Sequence, residues 1–307
     1  MKHTIKITAV LLGMFLLTQL IGIFVIHQYS PVQTQITDDQ GNIVNVTSHN
    51  LPQFLEPPQE LHPTNALVSI VFAIIFSVFL MFLLMRYKVE LILRIWFFIV
   101  VCLAISLTFN SAIFNLKYSF LISAAFALPL AFFKVFKRNL LVHNITELLV
   151  YPGIASIFVP ILNIWSVVLL LIFISLYDMY AVWHAGFMQK MAKYQIQHVK
   201  VFAGFFVPYL GKNQKIEIDK MKKSKSRKDK KIKVNVAILG GGDVVFPIIL
   251  AGVVLNQLGL IQAIIISIGA TLALAGLFLL SKKGRFYPAM PFITAGCFIA
   301  LAIAYLI

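Results

Sequence analysis

Long apolar runs separated by short polar segments fill the 307-residue chain from end to end. Runs near the roughly 20-residue length that crosses a bilayer fall at 7–27, 65–85, 95–114, 119–136, 144–161, 162–183, 234–257, 260–280 and 286–306. This pattern predicts nine transmembrane helices. The fifth run is the least regular, because His143, Asn144, Glu147, Pro152 and Pro160 interrupt it. No soluble domain of useful size remains. Residues 1–307 therefore read as one all-α polytopic membrane domain, with spans one to six over 1–183, a basic loop over 184–233 and spans seven to nine over 234–307. The first run is longer than a signal-peptide core and lacks an A-x-A-like site after it, so it reads as a retained helix.

Composition agrees, with 60% hydrophobic residues and a mean hydropathy of +0.90 against roughly 45–50% apolar residues in ordinary globular domains. The net charge of +15 sets the orientation. With the N-terminus cytoplasmic, 25 of the 26 Lys and Arg residues fall in cytoplasmic segments, fourteen of them between His184 and Lys233, and only Lys117 lies outside. The external loop 28–64 instead carries Asp38, Asp39, Glu56 and Glu60. By the positive-inside rule the N-terminus is cytoplasmic and the C-terminus extracytoplasmic, in what reads as the cell membrane.

The external loop holds five prolines and reads as irregular, with a glycosylation sequon at Asn45-Val46-Thr47. In the basic loop, 184–200 reads as a continuation of the sixth helix, Val201–Leu210 as an interfacial or groove-plugging segment, and 211–233 as a lysine-rich linker beside anionic lipid. The run lacks interleaved aromatics, so membrane lipid rather than nucleic acid is the expected partner. Trp96, Trp165 and Trp183 sit at span ends, where indoles favour the interface. Cys102 and Cys297 stand singly and read as packing residues, with no metal site or cofactor expected. Small residues at Gly269, Ala273 and Gly276, and at Gly296, Ala300 and Ala304, predict close packing of spans eight and nine.

Candidate chemistry lies in spans six and seven. Asp178 and Asp243 read as the only acids deep inside hydrophobic spans, and a carboxylate in hydrocarbon is costly unless neutralised, paired or wetted. Asp178 sits in Ser175-Leu176-Tyr177-Asp178-Met179-Tyr180. Asp243 follows Gly240-Gly241-Gly242 and precedes Pro247. Three glycines weaken a helix by about 1 kcal/mol each relative to Ala, and Pro247 has no N–H for the carbonyl of Asp243. Irregular backbone at membrane depth is tolerated only inside protein or along a wet cavity, so Asp243 is expected to face an internal site. A third irregular piece, Phe286-Tyr287-Pro288-Ala289-Met290-Pro291, opens span nine on the same side.

These residues resemble the presenilin and signal peptide peptidase family of intramembrane aspartyl proteases, above all its compact microbial members. That family carries Tyr-Asp in span six, Gly-x-Gly-Asp in span seven and Pro-Ala-Leu at span nine, matched here by Tyr177-Asp178, Gly240-Gly241-Gly242-Asp243 and Pro288-Ala289-Met290. The resemblance implies a presenilin-like fold and an Asp178/Asp243 catalytic dyad. It also implies substrate contacts at Tyr177, Gly240, Gly241, Gly242, Pro288, Ala289 and Met290, and single-span transmembrane proteins or peptides as substrates. Met290 stands where the family has leucine, a swap of similar volume. The backbone of Pro288–Met290 would then meet an extended substrate, and the alternating Lys233–Ile238 segment is expected to form a strand beside it. A prepilin-peptidase-like enzyme would need fewer spans and a lysine where Val245 stands. A proton- or cation-coupled transporter or channel using the same acids is the alternative, although transporter sites lie between internal repeats, and none is visible here.

Overall fold

The computed structural model describes residues 5–37, 43–48, 52, 63–87, 90–137, 139–185, 203–209, 235–281 and 287–307. Its helices are α1 (Ile5–Tyr29), α2 (Pro63–Tyr87), α3 (Glu90–Ile113), α4 (Ser119–Phe136), α5 (Leu140–Phe158), α6 (Ile164–Tyr180), α7 (Gly241–Gln257), α8 (Leu260–Leu280) and α9 (Met290–Ala304). Six of them are long and apolar enough to cross a membrane, whereas α7, α9 and the apolar part of α2 are shorter.

Helix ends follow local chemistry. Asn139 caps α5 by accepting from the Leu141 and Val142 N–H groups, and Asn163 caps α6 by accepting from Ser166. Such side chains satisfy donors that the first turn leaves orphaned. Between α5 and α6 a short 3₁₀ turn, Val159–Ile161, absorbs Pro160.

The bundle is organised around α7. This helix is apolar on every side, and all residues from Pro247 to Leu255 are buried, as expected for a helix enclosed by others. It packs against α1, α5, α6, α8 and α9. Glycines permit the closest approaches: a Cβ on Gly252 would strike Ile26 and Val159, and one on Gly22 would strike Ile248. Helices α8 and α9 meet through Gly269, Ala273, Gly296 and Ala300. Gly276 has open space and takes no part. Without a hydrophobic drive between helices in lipid, such backbone proximity supplies the attraction.

The protein is not all-α. Within the loop expected to be irregular, β1 (Val32–Thr37) pairs antiparallel with β2 (Ile43–Ser48). Both segments are rich in β-branched residues, which suit a pleated strand. The span expected over 234–257 divides into β4 (Asn235–Gly240) and α7. Strand β4 pairs antiparallel with β3 (Gly204–Tyr209), which lies inside the apolar segment expected to rest at the interface. Burial along β4 alternates, Ala237 and Leu239 inward and Val236 and Ile238 outward, the period of two that a half-buried strand requires. The expected strand thus forms two residues later than Lys233–Ile238, and its observed partner is the chain itself. A helical turn, Ala181–Ala185, follows α6. The continuation expected from 186 to 200, and the linker 211–233, lie outside the described residues.

Candidate active site

Asp178 lies in the last turn of α6 and is 5% exposed. Its Oδ2 accepts the backbone N–H of Met290 at 3.1 Å, and the carboxylate also accepts the N–H of Ala289. These donors sit at the start of α9, where Tyr287–Ala289 remain non-helical and Pro291 occupies the first turn. First-turn N–H groups have no intrahelical acceptor, and the helix dipole favours negative charge there. Below this contact the Ser175 and Thr294 hydroxyls lie 2.8 Å apart, joining α6 to α9. The resemblance offered the Pro288–Met290 backbone to a substrate. In the structure, the Ala289 and Met290 donors are taken by Asp178.

Asp243 is the third residue of α7, directly after the strand-to-helix junction at Gly240. The Gly240 N–H donates to its carboxyl, as an acid in the first helical turn reaches back to the capping residue. The glycines differ in what they permit. A Cβ on Gly241 would come within 2.8 Å of the Tyr151 ring, whereas one on Gly242 would meet only Phe246 at 3.7 Å. Gly241 therefore lets α7 start flush against Tyr151, and Gly242 is exposed beside the partly exposed Asp243. Gln19 of α1 donates through Nε2 to the Val244 carbonyl at 3.0 Å, one residue beyond the acid.

The charge of Asp178 reaches Asp243. Among the described residues, neither acid forms an ion pair. Each is held by backbone N–H groups, which leaves a carboxylate pair free of any cation and within electrostatic reach. Tyr177, half-buried, also lies within reach of the Asp178 charge. The structure places Tyr177, Gly240, Gly241, Gly242, Pro288, Ala289 and Met290 beside one or other aspartate, at one end of α6, α7 and α9.

The sequence reading missed several neighbours. Glu147 is a third acid inside a span, with no exposed surface, so Asp178 and Asp243 are not the only ones. Lys134, counted with the cytoplasmic charges, is buried and lies 2.7 Å from Glu147. Tyr151 and Gln19 carried no signal, since each is one polar atom in an apolar run.

The family model described as signal-peptide peptidase, presenilin aspartyl protease matches residues 42–307, well over half of the chain. The chain belongs to this family. Two solved structures share its fold. A presenilin family intramembrane aspartate protease in space group C222 superposes with a TM-score of 0.62 at 16% identity, over 97% of this chain and 98% of the other. The same kind of protein in space group P2 gives 0.60 at 16% identity, over 96% of both chains. No curated protein matches the sequence. The family accounts for the chain's apolar helices as those of a membrane-embedded protease family.

Proposed function

We propose that this presenilin-family protein is an intramembrane aspartic endopeptidase of the Gly-x-Gly-Asp type, with Asp178 and Asp243 as its catalytic dyad. The observation that carries the proposal is the pairing of two carboxylates from α6 and α7 with no basic partner among the described residues. Two acids within electrostatic reach cannot both ionise cheaply, so they hold one proton between them and titrate as a unit. The ionised member takes a proton from water as the oxygen attacks the scissile carbonyl. The protonated member gives its proton to the carbonyl oxygen. Collapse of the tetrahedral intermediate then breaks the C–N bond, and a proton passes to the leaving amine. The N–H groups of Ala289 and Met290 favour Asp178 as the ionised member, because they stabilise negative charge there.

The substrates are single-span transmembrane proteins or peptides, whose helix must open locally before water can attack. Strand β4 leads straight into Gly240 and Asp243 and pairs only with β3 among the described residues. An extended substrate segment adds to its outer edge, where main-chain hydrogen bonds supply affinity. Tyr177, Gly240–Gly242 and Pro288–Met290 surround that segment. Nine membrane crossings follow from the apolar runs, and a cytoplasmic N-terminus and extracytoplasmic C-terminus from the distribution of Lys and Arg; this topology would open the site toward the cytoplasmic side of the cell membrane.

Purified protein in liposomes tests this reading against ion transport. Release of two complementary fragments from a labelled single-span substrate is expected, with a rate that falls as the shared proton is lost on the alkaline side. A profile that stays flat between about pH 5 and pH 9 contradicts the shared proton. Ion flux that needs both acids, without fragment release, would establish the transporter instead.

A further inference from the structure

The β3–β4 sheet has two outer edges, and the protein treats them differently. On β3 the outward-facing residues are Gly204, Phe206 and Pro208. The Gly204 N–H donates to Glu147 Oε1 at 3.2 Å, and its carbonyl accepts from His143 Nε2 at 2.8 Å. The Phe206 N–H donates to Asn144 Oδ1 at 3.0 Å, and its carbonyl accepts from Asn144 Nδ2 at 2.8 Å. Pro208 has no N–H. Side chains of α5 therefore occupy the β3 edge much as a neighbouring strand would, and no donor on it remains open. Exposed strand edges attract further strands unless they are covered or interrupted by proline.

Among the described residues, the β4 edge is the opposite case. By register, Val236, Ile238 and Gly240 stand across from Pro208, Phe206 and Gly204. Opposed residues in an antiparallel pair point the same way with respect to the ladder, so the backbone groups of these three also face outward. Gly240 uses its N–H on Asp243. Val236 and Ile238 are 41% and 44% exposed. The ladder runs one bond further, from the Gly241 N–H to the Ala203 carbonyl at 3.2 Å, so moving β3 moves the start of α7.

We propose that Asn144 and Glu147, the latter paired with Lys134, are positioning residues that close the β3 edge and fix Asp243 against Asp178. The inference rests on the proposed peptidase function. Lys134 and Glu147 are each 1% exposed as side chains, so the clasp is built into the bundle. It joins α4, α5 and the sheet into one support for the strand-to-helix junction.

The test compares Asn144→Leu, which removes both bonds to Phe206, with Asn144→Asp, which keeps the acceptor for the Phe206 N–H. For each, kcat, KM and product masses are measured on a labelled single-span substrate in liposomes. Asn144→Leu is expected to lower kcat about 10- to 100-fold, the scale of a displacement near 1 Å, with KM changed less than about twofold. Products are expected to spread over neighbouring peptide bonds. Asn144→Asp recovers part of kcat and the single product. Unchanged kcat and product masses in folded Asn144→Leu overturn the proposal. If that variant does not accumulate, Asn144→Ala, which removes the same two bonds to Phe206 without added bulk, carries the same expectations. A second readout needs no proteolysis: copper-induced cross-linking of Asp178→Cys with Asp243→Cys, in a background without Cys102 and Cys297, slows when Asn144→Leu is added. Loss of cross-linking in a protein whose parent never cleaves substrate refutes the peptidase reading but keeps the clasp. An unchanged cross-linking rate with intact cleavage in the parent refutes the clasp alone.

Discussion

Glu147 and the Asp178–Asp243 pair are all carboxylates inside a membrane protein, yet they are seated in opposite ways. Glu147 has a lysine at 2.7 Å, a histidine at 3.4 Å and the Gly204 N–H at 3.2 Å. Its charge is balanced, and the group is committed to holding β3. Asp178 and Asp243 have backbone donors and each other. Neither has a cation partner among the described residues, and the proposed dyad requires that, since its members must exchange a proton. The difference is one of seating: Glu147 is committed to a cation and to β3, whereas the two aspartates are held by backbone donors, the arrangement the proposed hydrolytic role requires.

Removing one member of the committed pair should be the most damaging change to stability. Lys134→Met takes from the buried Glu147 its closest cation and is expected to cost about 3–5 kcal/mol, read by thermal unfolding in detergent. Adding Glu147→Gln to it should recover part of the loss. A Lys134→Met protein as stable as wild type would erase the contrast.

Next in size is Gly241→Ala. The added methyl group meets the Tyr151 ring at 2.8 Å, and overpacking of this kind costs about 1–3 kcal/mol. Because the shift occurs two residues from Asp243, cleavage should fall with it. Gly242→Ala, with its nearest neighbour at 3.7 Å, should cost much less, and equal losses would remove the packing explanation. Thr294→Val breaks the hydroxyl contact between α6 and α9 and should cost about 0.5–1.5 kcal/mol, measurable by chemical denaturation if unfolding is reversible. Smallest of all should be the effect of Asp178→Asn or Asp243→Asn on stability. Each keeps an oxygen for its N–H donors and relieves charge repulsion, so unfolding should move by less than about 1 kcal/mol. A loss comparable to that of Lys134→Met would place the dyad with the scaffold.

Much of this architecture is legible in the chain. Helices α4 and α8 begin and end where hydropathy places them, because their limits are set by where apolar residues stop. Span seven misleads because 235–240 is as apolar as a helix. Its period-two burial and the three glycines that follow mark a strand-to-helix junction, which hydropathy alone does not separate from a loosened helix. The polar residues that made span five irregular, His143, Asn144 and Glu147, prove to be those that grip β3. Their irregularity was visible, but their partners, 57 to 62 residues away along the chain, were not. The Lys134–Glu147 contact was hidden for the same reason, since only the packing of α4 on α5 brings the two together. The two aspartates stood out because intramembrane acids are rare, and their seats at the starts of α7 and α9 depend on glycines and prolines that the sequence displays openly.

The central claim is that Asp178 and Asp243 act as one hydrolytic unit. It is tested most directly by following cleavage of a labelled single-span substrate by the reconstituted wild type, Asp178→Asn, Asp243→Asn and the double variant. Groups that act as a unit are non-additive, so each single change should abolish cleavage about as fully as both together. Substantial cleavage by either single variant, with the protein folded, would contradict the account.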